Sequence, residues 1–324
     1  MLAVILAAGR GTRLSPLTND RSKAMMPIAG KPLIGRVLDM LAAGGATRFI
    51  VVVHPGRPDL PKYLGASTWA DRMHLAYQEE RLGTAHALQC AAPQVLENGA
   101  SEFLLASCDS LYPTDHVGRL IARHRRDALD ATLTLMWVPS EKATASAVVV
   151  LKDGFVTDII EKPRLEEMPP YGEHRGALSA PSLYALSPRV LDHLPGVGAS
   201  SRGEREFPDA LRLLIEDGGK VGGQLVEDRM TLTHRDDLLA INRHFLWSDP
   251  ASAIIETDLP RDVTVALPVR IEAGAKVAPG CHIGPEVYLE TGCSIGARAV
   301  VRRAVVLHGA SVKADRIVED SSIA

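Results

Sequence analysis

Two hydrophobic rhythms divide the chain. Up to about residue 245, short apolar runs alternate with segments of helical spacing. Residues 2–8 form a continuous apolar run that ends at Gly9. Residues 33–41 carry apolar side chains at helical spacing and stop at Gly44-Gly45, a glycine stop signal. Residues 48–53 are again a short β-rich run, residues 84–96 read as a helix, and residues 103–107 as a strand ending at Cys108-Asp109. A further strand is predicted over 131–138. Strands alternating with helices predict an α/β domain with a mostly parallel sheet and helices on both faces. Ligands of such sheets sit beyond the C-terminal strand ends, and Gly9 and Asp109 both fall there.

The second rhythm has a period of six. Leu259, Val265, Ile271, Val277, Ile283, Leu289, Ile295, Val301 and Leu307 recur at every sixth position. Four residues after each stands a small or β-branched side chain: Val263, Val269, Ala275, Cys281, Val287, Cys293, Ala299, Val305 and Ser311. Neither a helix nor an alternating strand has this period. It predicts a short left-handed parallel β-helix of hexapeptide rungs stacked into one core. The phase shifts after Leu307, because Ile317 and Ile323 follow at a different offset. Cys281 and Cys293 read as core fillers on different faces. Ser248-Asp249-Pro250 marks the boundary, giving one part over 1–248 and a second over 249–324.

Composition narrows the partners. The 324 residues include 36 Lys+Arg against 39 Asp+Glu, so no basic surplus points to nucleic acid. Aromatic residues are 4%, which disfavours a base-stacking platform. No apolar stretch approaches the ~18 residues of a membrane helix, and the N-terminus lacks a secretory leader pattern. Cys90, Cys108, Cys281 and Cys293 form no CxxC pair, so the expectation is a reduced, cytoplasmic protein with no zinc ribbon.

Candidate chemistry begins directly after the first strand, where residues 9–14 read GRGTRL. Glycines there let backbone N–H groups approach an anion. The dinucleotide fingerprint is excluded by Leu14 in its last glycine position, and a Walker A loop by the missing GK[ST]. Two spaced cations, Arg13 and Lys23, suit a triphosphate instead. The whole segment LAAGRGTRLSPLTNDRSKAMMPIAGKPLI, residues 6–34, closely resembles the signature of the sugar-1-phosphate nucleotidyltransferases. It keeps GxGTRL, Pro16, Thr18, Lys23, Pro27 and Lys31-Pro32, with Ala24 where proline is usual. Gln78 followed by LGTAHA at 82–87 resembles the family's base-reading element, in the form most similar to uridylyltransferases of N-acetylglucosamine 1-phosphate. FLLASCDS at 103–110 resembles the metal-binding strand, and EKP at 161–163 the sugar-phosphate pair.

The resemblance implies a Rossmann-like catalytic domain that transfers a nucleotidyl group from an NTP, UTP being favoured, to a sugar 1-phosphate. It implies Arg13 and Lys23 as the catalytic cations. Leu6, Ala7, Ala8, Gly9, Gly11, Thr12, Gln78, Gly83 and Thr84 would hold the nucleotide, and Glu161 and Lys162 the sugar phosphate. Mg²⁺ would sit on Asp109 and on Asp228, the latter from VEDRMTL at 226–232. A homo-oligomer, assembled through the β-helix, is expected, with no nucleic-acid or membrane partner. His86 and His54 read as structural. The departures are local: the family's second metal aspartate aligns with Thr231, its Tyr-Gly with Ser146-Ala147, and two of its glycines with Cys108 and Ser182. A neutral hydroxyl replaces a carboxylate poorly on Mg²⁺. These departures support a second reading, a non-catalytic regulatory or binding subunit of the same family.

Overall fold

The computed structural model describes residues 1–144, 146–168 and 176–324. The chain packs as two compact units, one of Met1–Gly9 with Val37–Arg229, the other of Arg10–Arg36 with Met230–Ala324.

The first unit is built on a ten-stranded sheet. Its strands are β1 (Leu2–Leu6), β2 (Arg48–Val53), β3 (Met73–Tyr77), β4 (Phe103–Ser107), β5 (Ala131–Val138), β6 (Ala147–Lys152), β7 (Phe155–Glu161), β8 (Ala177–Ser179), β9 (Leu183–Leu186) and β10 (Val221–Leu225). They lie in the order β8-β6-β7-β10-β5-β9-β4-β1-β2-β3. From β4 to β3 all pairings are parallel. Beyond β4 the sheet is mixed: β9 runs antiparallel to both β4 and β5, and β6 and β7 form an antiparallel hairpin. The parallel block belongs to the stretch where runs and helices alternate; the hairpins come later, where the connections are too short for crossover helices. Residues 2–5 are buried, as a central parallel strand covered on both faces requires. Val4, Val52, Leu105 and Leu133 of the sheet share a core with Leu88, Leu211 and Phe207 of the flanking helices. Each such side chain contributes roughly 1.5–3 kcal/mol on full burial.

Five helices matter here: α1 (Leu33–Ala43), α2 (Thr84–Glu97), α3 (His116–Arg126), α4 (Phe207–Glu216) and α5 (Arg235–Ser248). No helix among the described residues is long and apolar enough to cross a membrane. Two buried histidines pin α3 to β5: His116 Nε2 lies 2.9 Å from Thr134 Oγ1, and His124 Nδ1 lies 3.0 Å from Thr132 Oγ1. Burial pushes the His116 imidazole down to about 4, and His124 downward as well. An unfolded histidine binds its proton near pH 6.5, so acid favours the unfolded chain throughout the interval down to about 4. Stability should therefore be complete above pH 6.5 and fall as the pH drops below it. His116 alone accounts for about 2–3 kcal/mol of that loss. Urea melts at pH 7 and pH 4.5 should show the loss, and His116→Gln should flatten it; an unchanged slope in that variant would assign the acid sensitivity elsewhere.

In the second unit the six-residue period does fold as stacked parallel rungs. Thr264 pairs with His282 and His282 with Val300; Val269 pairs with Val287; Lys276 pairs with Ser294. Cys281 and Cys293 are fully buried, free thiols in the common core. The position of the phase shift needs correcting. It falls before Leu307, at Arg302-Arg303. The turn after Ile283 is Gly284-Pro285-Glu286, whereas Val301 and Ala304 are separated by Arg302 and Arg303 alone. One residue is thus missing from the third coil, so Val306, not Leu307, stacks on Leu289. Ala304, Val306, Ala310 and Val312 fill the core in place of Val305, Leu307 and Ser311.

Candidate functional site

The parallel register sets the site. Leu6 is level with Val52 and with Ser107, and Val53 with Tyr77. The segments after β1, β3 and β4 therefore leave the sheet at one edge. Backbone bonds continue past the strands: Ala7 N donates to Val52 O at 2.9 Å, and Cys108 N to Leu6 O at 3.1 Å. Nothing described lies within 4 Å of where a Gly9 side chain would project. Arg81 Nε donates to Ala8 O at 2.8 Å, tying the segment after β1 to the segment after β3.

Residues 78–84 form a tight, internally bonded turn. Buried Gln78 donates from Nε2 to Gly83 O at 3.0 Å and meets His86 Nδ1 at 3.2 Å. His86 thus orients Gln78. Gly83 has φ +104°. Arg205 N donates to Leu82 O at 2.6 Å, and Ala85 N donates to Arg205 O at 2.9 Å. Thr84 opens α2; its Oγ1 accepts Phe207 N at 2.8 Å and donates to Glu206 Oε2 at 3.2 Å.

That last bond leads to the EKP segment. Lys162 Nζ stands 3.1 Å from Glu161 Oε1 and 3.1 Å from Glu206 Oε1, and Arg202 Nη2 lies 2.8 Å from the same Glu206 oxygen. Lys162 holds φ +48°, a left-handed conformation that costs a non-glycine residue about 1–2 kcal/mol. Its N–H donates to Ser146 O at 3.1 Å, and Ser146 Oγ lies 2.8 Å from Ser179 Oγ. Burial raises the Glu161 carboxyl above its usual range, although Lys162 opposes this. Burial also works against ionised Glu206, but Arg202 and Lys162 outweigh it and hold that carboxyl low. One lysine thus serves two carboxylates of unequal acidity.

Asp109 follows β4. Ser107 Oγ donates to its Oδ1 at 2.7 Å and Ser110 Oγ at 3.2 Å. Arg229 Nη1 donates to Ser110 Oγ at 3.0 Å, so the neighbour of Asp228 reaches the neighbour of Asp109. Asp228 itself is exposed and accepts Arg229 N at 2.7 Å. Among the described residues, no group of three or more His, Cys, Asp or Glu could hold a metal ion. A carboxylate among hydroxyls nevertheless suits Mg²⁺, a hard cation that takes one or two protein carboxylates and completes its shell with water and substrate phosphate. Asp109 fits that chemistry.

The first unit thus contains Leu6, Ala7, Ala8, Gly9, Gln78, Gly83, Thr84, Asp109, Asp228, Glu161 and Lys162, whereas Gly11, Thr12, Arg13 and Lys23 belong to the second. There Gly11 has φ +67°, and a side chain on it would crowd Lys23 Cβ at 3.1 Å. Its carbonyl accepts Thr18 Oγ1 at 2.9 Å. Arg13 is exposed and Lys23 half-buried. Thr231, in the aspartate's place, precedes a helix start where Asp237 accepts Thr233 N at 2.7 Å and His234 N at 2.6 Å, so Asp237 caps α5.

Sequence reasoning missed Arg81, Arg202 and Glu206. The signal for Glu206 was present: GEREFPD at 203–209 places an acidic residue before a proline-led helix start, where a carboxylate is stabilised.

A family model described as nucleotidyl transferase matches residues 2–250, and one described as GMPPB C-terminal domain matches residues 265–324. The chain belongs to the nucleotidyl transferase family and is a nucleotidyltransferase. It is 33% identical over 219 residues to the UTP–glucose-1-phosphate uridylyltransferase AglF of Haloferax volcanii, a match covering 67% of this chain and 85% of that protein. It is 28% identical to the bifunctional protein GlmU of an Exiguobacterium species, over 99% of this chain and 70% of that one. It spans 62% of the GlmU of Methanococcus maripaludis, at 28% identity. A solved UDP-glucose pyrophosphorylase, complexed with UDP-glucose, shares the fold at a TM-score of 0.66 and 19% identity, over 75% of this chain and 97% of that one.

Proposed function

We propose that the protein transfers a nucleotidyl group from an NTP, with UTP favoured, to a sugar 1-phosphate, giving a nucleotide sugar and pyrophosphate. The observation that carries this reading is the continuous chain of bonds from the Gln78–Thr84 turn through Glu206 to Lys162 and Glu161. It joins the turn that resembles the family's base-reading element to a cation fit for a phosphate. The similarity to AglF, a UTP–glucose-1-phosphate uridylyltransferase, supports UTP and a hexose 1-phosphate as first candidates.

In this reading a sugar phosphate oxygen attacks the α-phosphorus of the NTP, and pyrophosphate leaves with the electrons of the broken bond. A phosphate dianion is already a nucleophile, so no protein base is required. The obstacle is repulsion between two anions, and the residues' work is positioning and charge neutralisation, with positioning able to supply up to roughly 7–11 kcal/mol. Lys162 would take the sugar phosphate, Glu161 a sugar hydroxyl, and Arg13 and Lys23 the triphosphate. Asp109 and Asp228 would hold Mg²⁺, which when bound neutralises developing phosphate charge. Residues 1–248 would carry this chemistry, and 249–324 would support assembly of a homo-oligomer in the cytoplasm.

The deciding assay follows pyrophosphate while the protein meets Mg²⁺, each NTP in turn and a panel of sugar 1-phosphates. Release with UTP and one hexose 1-phosphate is expected. Silence across every pair would favour the regulatory reading that Thr231 and Ser146-Ala147 suggest.

A further inference from the structure

Within the second unit, one face of the β-helix is unlike the others. On the rungs Lys276–Val277, Ser294–Ile295 and Ser311–Val312, the outward side chains Lys276 and Ser311 are exposed, as on a free surface. On the rungs Val269–Ile271, Val287–Leu289 and the end of Val300–Val306, the outward row is Arg270, Tyr288 and Val305, continued by Ser322. That row is covered: Tyr288 is 0%, Val305 1% and Ser322 5% exposed. A tyrosine turned away from a β-helix core is not buried unless something is seated on it.

The unit itself supplies the cover. Arg270 lies against Gly30, with Nε only 2.7 Å from where a side chain there would begin. Helix α5 packs on the rungs Val300–Val306 and Ile317–Ile323, where Trp247 Nε1 donates to Glu286 at 2.6 Å and Arg243 pairs with the same carboxylate at 2.5 Å. In turn, α5 holds the segment before Gly30, since Asn242 accepts Ala29 N at 2.7 Å and donates to Pro27 O at 3.1 Å. Closest to the glycine loop, Arg21 Nη1 pairs with Glu290 Oε1 at 2.7 Å, the side chains being 24% and 11% exposed. Glu290 is immobilised from behind: its Oε2 accepts His308 N at 2.8 Å, and its own N–H donates to Val306 O at 2.9 Å. Glu272 braces the same corner, accepting Tyr288 OH at 2.7 Å and Thr291 N at 3.0 Å.

We propose that this covered face of the β-helix is a positioning platform for the segment that carries Arg13 and Lys23, and that the Arg21–Glu290 ion pair is its latch. Arg21 lies two residues before Lys23 and eight after Arg13. A loop already held in one arrangement loses less conformational freedom when a nucleotide binds, so the latch acts on affinity rather than on the chemical step. Glu290 and Arg21 are positioning residues, and the other two faces of the β-helix remain for contacts with a second copy. The inference rests on the proposed nucleotide role of the loop.

The test uses the full chain and three variants, Arg21→Met, Glu290→Gln and the double variant, with Arg21→Lys as the conservative control. Amide hydrogen exchange over residues 10–25 and UTP binding by calorimetry are read together with turnover. Each single variant should speed exchange in the loop and weaken UTP binding by about three- to tenfold, leaving kcat within about twofold. The double variant should be no worse than the worse single, and Arg21→Lys should restore most of the affinity. Additive losses, or unaltered exchange in Arg21→Met, would overturn the latch. Exchange needs no ligand, so it judges the latch even if the wild-type chain binds no nucleotide; that separate result would overturn the functional reading instead. Arg21→Met leaves the β-helix core untouched, so a misfolded Glu290→Gln would not block the test.

Discussion

Replacing Lys162 with methionine is expected to lower kcat/KM for the sugar 1-phosphate by about three orders of magnitude while leaving UTP affinity within about twofold. Methionine keeps the length of the stem and removes the cation. The free enzyme already balances this ammonium against Glu161 and Glu206, each 3.1 Å away. On the proposed reading, an arriving phosphate would compete with two carboxylates for an ammonium already held in place. The left-handed backbone at Lys162 is consistent with such a hold, because strain of that kind persists only where surrounding bonds enforce it. Pyrophosphate release measured against varied sugar phosphate checks the prediction, together with calorimetry for UTP. Equal losses for both substrates would mean that Lys162 supports the whole fold of the site rather than one subsite. A variant with full activity would remove Lys162 from the site altogether.

Glu206 bridges the turn at Thr84 and the EKP segment. One of its oxygens bonds Thr84 at the start of α2, and the other takes both Lys162 and Arg202. Neither Thr84 nor Lys162 reveals this bridge in the sequence, because Glu206 lies 122 residues beyond one and 44 beyond the other. What was legible was of two kinds. Local periodicity exposed β1, β2, β4, β5, α1 and α2, because a strand buried on both faces is a bare apolar run and a helix ends at glycine. Stacked repetition exposed the β-helix for the same reason: each rung meets a copy of itself.

What was not legible depends on deletion, pairing or tertiary contact. The residue missing at Arg302-Arg303 was concealed because Val305 and Leu307 are themselves apolar and continued the count by accident. Beyond β5, strands β8 and β9 are short and wholly buried, so no alternation separates them from loops. The latch joins Arg21 to Glu290 across 269 residues, a separation at which charge alone gives no pairing. Arg81 likewise needed the fold, because its partner is a backbone carbonyl, which no sequence pattern marks.

Substituting Gly83 with alanine should be the most damaging small change in the first unit. At φ +104° and ψ −177° the residue occupies a region essentially reserved for glycine, where other residues pay about 1–3 kcal/mol. Space is also denied: a Cβ would lie 2.7 Å from Arg205 N and closer still to its carbonyl oxygen, both backbone atoms. Arg205 cannot retreat, because its N–H is bonded to Leu82 O, its carbonyl to Ala85 N, and its guanidinium to Val197 O, Leu194 O and Gln89. The strain must then break the turn that Gln78 closes onto Gly83 O. A loss of roughly 2–4 kcal/mol in unfolding free energy is expected, read from urea melts. UTP affinity should fall by at least about tenfold, because Gln78, Thr84 and the bond from Thr84 to Glu206 all depend on that turn. Asn, which tolerates positive φ better than Ala, gains nothing here, since its Cβ meets the same backbone. If Gly83→Asn matched the wild type, the clash with Arg205 would be relieved by a movement of the Arg205 segment, and the rigidity argued for this turn would be wrong.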